Sequence, residues 1–146
     1  MGFFSALDIS ASGLTAQRFR MDTITQNIAN INTTRTENGT PYRRKAVIFE
    51  EKSVDKPFSE YLSESSSGLV GKGVRVARVV EDQSPFKRVY DPGNPEADEE
   101  GYVLMPNVDI VTEMVNMISA TRAYEANVTV MDATKNMALK ALEIGK

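Results

Sequence analysis

The chain has 146 residues, 41% hydrophobic and 25% charged, enough for one modest core and too few for a large one. It contains neither cysteine nor histidine. That excludes disulfides, thiolate nucleophiles, Cys-based zinc sites and imidazole acid–base chemistry together. A formal net charge of −3 offers no basic field for nucleic acid. Carboxylate and lysine chemistry stay open, and a chain without cysteine suits passage between compartments without redox assistance.

The opening Met1-Gly2-Phe3-Phe4-Ser5-Ala6 does not read as a cleavable secretion signal, because the first basic residue is Arg18 and no apolar run forms a signal core. Ala6 stands where a myristoylation pattern needs Ser or Thr. No stretch approaches the roughly 18 consecutive apolar residues of a membrane span.

The first element is a helix expected over residues 8–34. Its stripe at alternating three- and four-residue spacing is Leu7, Ser10, Leu14, Gln17, Met21, Ile24, Ile28 and Ile31. Asp8 and Ser10 are candidate caps, and residues 30–34 are a candidate stop. Between residues 35 and 106 the pattern changes to turn chemistry at Asn38-Gly39-Thr40-Pro41, over residues 63–73 and at Pro92-Gly93-Asn94-Pro95. Short β-like runs separate these turns: Ala46-Val47-Ile48-Phe49, residues 74–80, Arg88-Val89-Tyr90 and Tyr102-Val103-Leu104. This region is charge-dense but balanced. Pro106 opens a second helix, with Asn107 or Asp109 near its N-cap and Gly145 at its end. Its stripe runs Ile110, Met114, Met117, Thr121, Tyr124, Val128, Met131, Lys135, Ala138, Leu142, widened by Val111, Val115 and Ile118. At about 1.5 Å rise per residue the two helices span roughly 40 and 50 Å.

These elements predict a mainly α fold with a small β insert. The long N- and C-terminal helices (residues 1–34 and 107–146) pack as an antiparallel coiled-coil-like pair, and residues 35–106 form a small β-rich domain between them. Each apolar face is wider than one helix pairing needs, which points to partner subunits.

Several motifs invite a chemical reading. Gly68-Leu69-Val70-Gly71-Lys72-Gly73 lacks the spacing and following helix of a phosphate loop and reads as a turn. Asp91, Glu96, Asp98, Glu99 and Glu100 lack the alternation of a calcium loop, and so read as a solvated acidic loop. The basic triplet Arg43-Arg44-Lys45 is followed by Glu50 and Glu51, which favours intersubunit salt bridges or plain surface over a polyanion site. Lys135 and Lys140, late in a helix, complement the helix dipole. The side-chain amides Asn27, Asn30 and Asn127 lie near the apolar stripes. They either cap locally or set register between neighbouring helices. Ser12, Gly13 and Ala16 are small enough for close helix approach.

The residues also carry a resemblance. Ser12-Gly13-Leu14-Thr15-Ala16-Gln17, with Arg20, Ile24 and Gln26-Asn27-Ile28-Ala29-Asn30, resembles the N-terminal box of the flagellar axial proteins of rod, hook and hook-associated families. The run Asn116-Met117-Ile118-Ser119-Ala120-Thr121-Arg122-Ala123-Tyr124-Glu125-Ala126-Asn127 is similar to their C-terminal box. The stretch from Asp91-Pro92-Gly93-Asn94-Pro95 to Met105-Pro106-Asn107-Val108 is similar to the segment typical of the proximal rod family, with Asn94 where that family commonly has His. The resemblance implies a non-enzymatic structural subunit without cofactor, metal or small-molecule substrate. Such subunits polymerise with copies of themselves and other rod proteins into a helical tube across the periplasm. They travel unfolded through the flagellar type III exporter, and their termini order on assembly.

On this reading the subunit interface comprises Leu7, Leu14, Gln17, Met21, Ile24, Asn27, Ile28, Asn30 and Ile31 on the first helix. On the second it comprises Ile110, Met114, Met117, Ile118, Tyr124, Asn127, Val128, Met131 and Leu142. Competing readings are another rod-family subunit, a soluble coiled-coil adaptor of closed stoichiometry, and a small carboxylate enzyme.

Overall fold

The computed structural model describes residues 3–52 and 73–144. Helix α1 covers Phe3–Ala29. It starts upstream of the expected Asp8, because the apolar spacing of Leu7 continues back along the sequence to Phe3 and Phe4. Asp8 and Ser10 therefore lie inside the helix. Ser10 donates its hydroxyl to the Ala6 carbonyl at 3.0 Å, and Thr15, Thr23 and Thr25 bond back by four residues in the same way. Such back-bonding lets hydroxyl residues sit within a helix at little cost. The helix ends five residues before the expected Thr34. The Asn30 side-chain amide donates to the Gln26 carbonyl at 2.9 Å, and its oxygen accepts from the Thr33 hydroxyl at 3.1 Å.

The middle region forms two antiparallel hairpins. Strand β1 (Lys45–Glu51) pairs with β2 (Val74–Glu81), and β3 (Lys87–Tyr90) pairs with β4 (Tyr102–Met105). Every strand expected from the sequence is present. In the first hairpin the register runs from Lys45 opposite Glu81 to Glu51 opposite Val74, interrupted by a bulge where Ala77 is left between the Ile48–Arg78 and Phe49–Val76 pairs. In the second, Tyr90 and Tyr102 meet edge to face at 5.3 Å. The acidic loop between β3 and β4 organises itself. The Asp98 carboxylate accepts from the amides of Glu100 and Tyr102, and Arg88 lies 3.5 Å from both Asp98 and Glu100.

Helix α2 covers Ile110–Ile144. Pro106 and Val108 are buried ahead of it, so the helix opens later than expected, and the cap is Asp109. Its carboxylate accepts from the Thr112 amide at 3.0 Å and hydroxyl at 2.7 Å, satisfying donors that helix geometry leaves orphaned. Those bonds hold the Asp109 carboxyl below its usual range, helped by Lys87 nearby. The expected terminator Gly145 and the glycine-rich run 68–72 lie outside the described residues.

The two helices are antiparallel. Gly13 faces Asn127, the Met21 sulfur lies 3.7 Å from the Thr121 hydroxyl, and Asn27 bonds Glu113. The buried apolar residues Ala16, Ile24, Tyr42, Val103, Val108 and Ala120 come from both helices and from the region between them. The core is therefore shared, with the β1–β2 hairpin leaning on α1. There the Val74 amide donates to the Ser12 hydroxyl at 3.1 Å.

Candidate assembly interface

Along α2 the residues turned toward α1 follow a heptad: Glu113, Ala120 and Thr134 are buried, and Asn127 is half-buried. A second seven-spaced set, Met117, Tyr124, Met131 and Ala138, is half-buried beside them. The sequence pattern identifies this second set. Its other members Met114, Thr121, Val128 and Lys135 fall one residue beyond the inward-facing set and are exposed. The reason is chemical: apolarity marks a seam, and this seam is built from Glu, Ala, Asn and Thr.

On α1 the facing residues are equally small or polar. Ser10, Gly13, Ala16, Thr23 and Asn27 are buried with Ile24, while Leu7, Leu14, Gln17, Met21, Ile28, Asn30 and Ile31 are half-buried. The helices approach closely where Gly13 meets Asn127; a β-carbon on Gly13 would stand 2.8 Å from the Asn127 side-chain oxygen. Asn127 anchors itself by donating to the Ala123 carbonyl at 2.8 Å. The Gln17 side-chain oxygen is buried with no hydrogen-bond partner among the described residues.

At the β end of the seam lies a polar node. Asn27 and Glu113 are both 0% exposed. The Asn27 amide uses its full bonding capacity. It donates to the Lys45 carbonyl at 2.8 Å and to Glu113 Oε2 at 2.9 Å, and it accepts from the Lys45 amide at 2.9 Å and the Tyr42 hydroxyl at 3.0 Å. The other Glu113 oxygen accepts from Arg44 Nε at 2.8 Å. Arg44 also lies 3.7 Å from Asp82, and its backbone amide donates to the Asn107 side chain at 2.8 Å. Asn107 donates in turn to the Asp82 carbonyl at 3.0 Å. One network thus joins α1, the segment before β1, the end of β2 and the approach to α2.

Burial raises the Tyr42 hydroxyl pKa, and the Glu113 and Glu81 carboxylates raise it further. The Ser84 hydroxyl and amide hold Asp82 below its usual range, with Arg44 adding to this.

Arg43 donates to the Asp82 and Ser84 carbonyls and lies 4.4 Å above the Phe86 ring. The basic triplet is therefore engaged within the chain, where intersubunit bridges or plain surface were expected. Glu113 and Tyr42 were not singled out from sequence, and Asn107 was singled out only as a candidate helix cap. The available signal was the seven-residue spacing of Glu113, Ala120, Asn127 and Thr134, parallel to the apolar set.

The outer surface of α2 is apolar at both ends. Near its start Ile110, Val111, Met114, Val115 and Ile118 are each between 46% and 65% exposed. Near its end Met137, Leu139, Leu142 and Ile144 are exposed as well, up to 86% at Ile144. With Gly13 opposite Asn127 and Asn27 opposite Glu113, the first residues of α1 fall opposite Met137. The end of α2 therefore projects past α1. Among the described residues no cluster of three or more side chains suited to holding a metal is present, and no helix is long and apolar enough to cross a membrane.

The comparisons give this helix-paired architecture its class. Residues 7–35 match the family model described as flagella basal body rod protein, and residues 99–144 match the flagellar basal body rod FlgEFG protein C-terminal model. These are structural flagellar axial proteins, and the two matches fall on the two terminal helices. Full-length relatives narrow the class. The chain is 53% identical to the flagellar basal-body rod protein FlgC of Bacillus subtilis across 100% of both chains. It is 47% identical to FlgC of Borreliella burgdorferi over 99% of this chain and 98% of that one, and 44% identical to an Escherichia coli FlgC over all of both. The chain belongs to the FlgC family of flagellar basal-body rod proteins. It is a structural subunit and not an enzyme.

Proposed function

We propose that the subunit polymerises through its terminal helices, residues 1–34 and 107–146, with residues 35–106 carried as an insert. Copies of the chain, together with other rod proteins, build a helical tube that crosses the periplasm, transmits torque and encloses an export path. The chain itself reaches this site through the flagellar export apparatus. The observation that carries the reading is the apolar row Ile110, Val111, Met114, Val115 and Ile118, because an exposed contiguous apolar patch on a soluble chain marks a contact surface. The projecting apolar end of α2 and the unpartnered Gln17 oxygen add to it. Contacts between unlike surfaces that do not close generate a helical assembly rather than a ring.

The test is complementation of a non-motile deletion strain with a Val111→Asp/Val115→Asp variant. The expected result is lost motility with chain that is still exported and unchanged in helix content, since both residues lie outside the intrachain seam. Full motility from this variant would refute the interface. A discrete dimer or tetramer of the purified wild-type chain that persists on dilution would instead support the closed adaptor.

A further inference from the structure

Helix α2 has two faces able to pack on α1, and the fold uses the less apolar one. Met117, Tyr124, Met131 and Ala138 belong to both candidate seams. The choice lies between adding Glu113, Ala120, Asn127 and Thr134 or adding Met114, Thr121, Val128 and Lys135, of which Thr121 already touches Met21 from the edge of the seam. Turning α2 by about 50°, half the angle between successive residues, exchanges these sets and keeps the shared one in contact. Over the first half of the helix the unused face is the more apolar, and the hydrophobic effect alone favours turning it inward. The observed arrangement instead buries the carboxylate of Glu113 completely and leaves Met114 55% exposed.

What distinguishes the two arrangements at this end is the node. Glu113 reaches Asn27 at 2.9 Å and Arg44 at 2.8 Å only with its face turned to α1, and Asn27 is itself pinned to both backbone groups of Lys45. The rotated arrangement would leave Asn27 and the Arg44 guanidinium short of their carboxylate while Glu113 moved toward solvent. Further along, the close approach of Gly13 and Asn127 favours the same face but presents small groups that set rotation less sharply.

We propose that Asn27, Glu113 and Arg44 form a rotational lock. They hold the apolar row of α2 outward, and so determine which face the subunit offers to a neighbouring copy. Glu113 is on this account a positioning residue, as a buried polar group fixes register in a coiled coil. The proposal deepens the assembly reading above and rests on it only for the use made of the exposed row.

The test uses the full-length chain. Its lack of native cysteine makes single reporters unambiguous: Met114→Cys on the outer face and Thr134→Cys in the seam. In the otherwise wild-type chain, under conditions where circular dichroism shows both helices formed, the outer-face thiol is expected to react rapidly with a maleimide and the seam thiol slowly. In a Glu113→Ser background, which removes the carboxylate without making the seam face the more apolar one, the expected result is an inversion, with the reporter at position 114 slowed and that at position 134 accelerated by about tenfold or more each, while helix content is retained. Adding Ile110→Asn and Ile118→Asn makes the outer face polar and is expected to restore the original pattern. A folded Glu113→Ser chain that keeps the wild-type pattern overturns the proposal.

If Glu113→Ser alone unfolds, the Glu113→Ser/Ile110→Asn/Ile118→Asn variant decides. Recovery of the fold with the wild-type labelling pattern supports the lock, and failure to recover overturns it. Because labelling is read on the isolated chain, it is independent of assembly. An inverted pattern in a variant that still restores motility would uphold the lock and refute the proposed interface.

Discussion

At the scale of single residues, the node creates an asymmetry that mutation should expose. Glu113 has a fully buried side chain, whereas that of Arg44 is 24% exposed. Removing Arg44 strands a carboxylate in the core with only Asn27 as partner, and an orphaned buried charge costs about 3–5 kcal/mol. Removing the charge of Glu113 leaves a guanidinium that still reaches Asp82 and water. Arg44→Ala is therefore expected to destabilise more than Glu113→Gln, read as the difference in urea midpoints followed by circular dichroism. Equal losses would show that the network's hydrogen bonds, and not the buried charge, dominate.

Tyr42 adds a pH dependence whose sign follows from its raised pKa. The folded chain holds the phenolic proton more tightly than the unfolded one, so this contribution is intact below about pH 10 and declines as pH rises beyond it. Tyr42→Phe is expected to flatten the alkaline fall in melting temperature while lowering stability at neutral pH, where it loses the bond to Asn27. Asp82 and Asp109 act oppositely. Their lowered pKa values give support that is present above about pH 4 and lost as pH falls through the lower folded values.

At the scale of elements, two glycines set how closely secondary structures approach. Gly73 has φ +98°, and a β-carbon there would meet the Ser12 hydroxyl and lie 3.4 Å from the α1 backbone at Ile9. Gly73→Ala thus combines a disfavoured conformation with overpacking against a helix that cannot yield, for roughly 2–4 kcal/mol. Gly13→Ala gains about 1 kcal/mol of helix propensity and displaces only the end of the Asn127 side chain. The expected order is a large loss at Gly73 and a small one at Gly13, measured by thermal unfolding. Comparable losses would mean that the Asn127 contact is as rigid as the backbone of α1.

Element types and strand positions were legible in the sequence because each obeys a local rule. Alternating Val and Arg residues marked β2, Asn-Gly and Pro-Gly marked the turns, and sevenfold Leu, Met and Ile marked α1. The rotation of α2 was not legible. Its inward set includes Glu113, which a hydrophobic pattern assigns to solvent, and Asn127, which the sequence leaves between local capping and setting register; they are held there by Asn27, Arg44 and Gly13. Those residues are remote in sequence, so no window of α2 contains the reason. The caps failed similarly: Asp8 and Ser10 have cap chemistry, but Ser10 is satisfied by a carbonyl one turn back.

At the scale of the whole molecule, the exposed apolar surface sets the mode of assembly. Burying a Val, Ile or Met side chain completely is worth about 1.5–3 kcal/mol, so covering the remaining half of the five residues of the α2 row yields on the order of 5 kcal/mol. Association costs roughly 4–15 kcal/mol in lost translational and rotational freedom alone. One such contact therefore barely offsets the cost of pairing. A subunit that engages the row and the projecting end of α2 simultaneously gains about twice as much for a single loss of freedom. Pairs should be unstable and larger assemblies favourable, the condition for nucleated growth. The dilute chain is expected to sediment as a monomer, then assemble above a threshold concentration after a lag that preformed seeds abolish. Each Asp substitution within the row should raise that threshold by roughly tenfold or more, because about 1.4 kcal/mol corresponds to a factor of ten. A stable dimer well below the threshold would show that one contact suffices, and the balance between burial and association cost would then lie elsewhere on the surface.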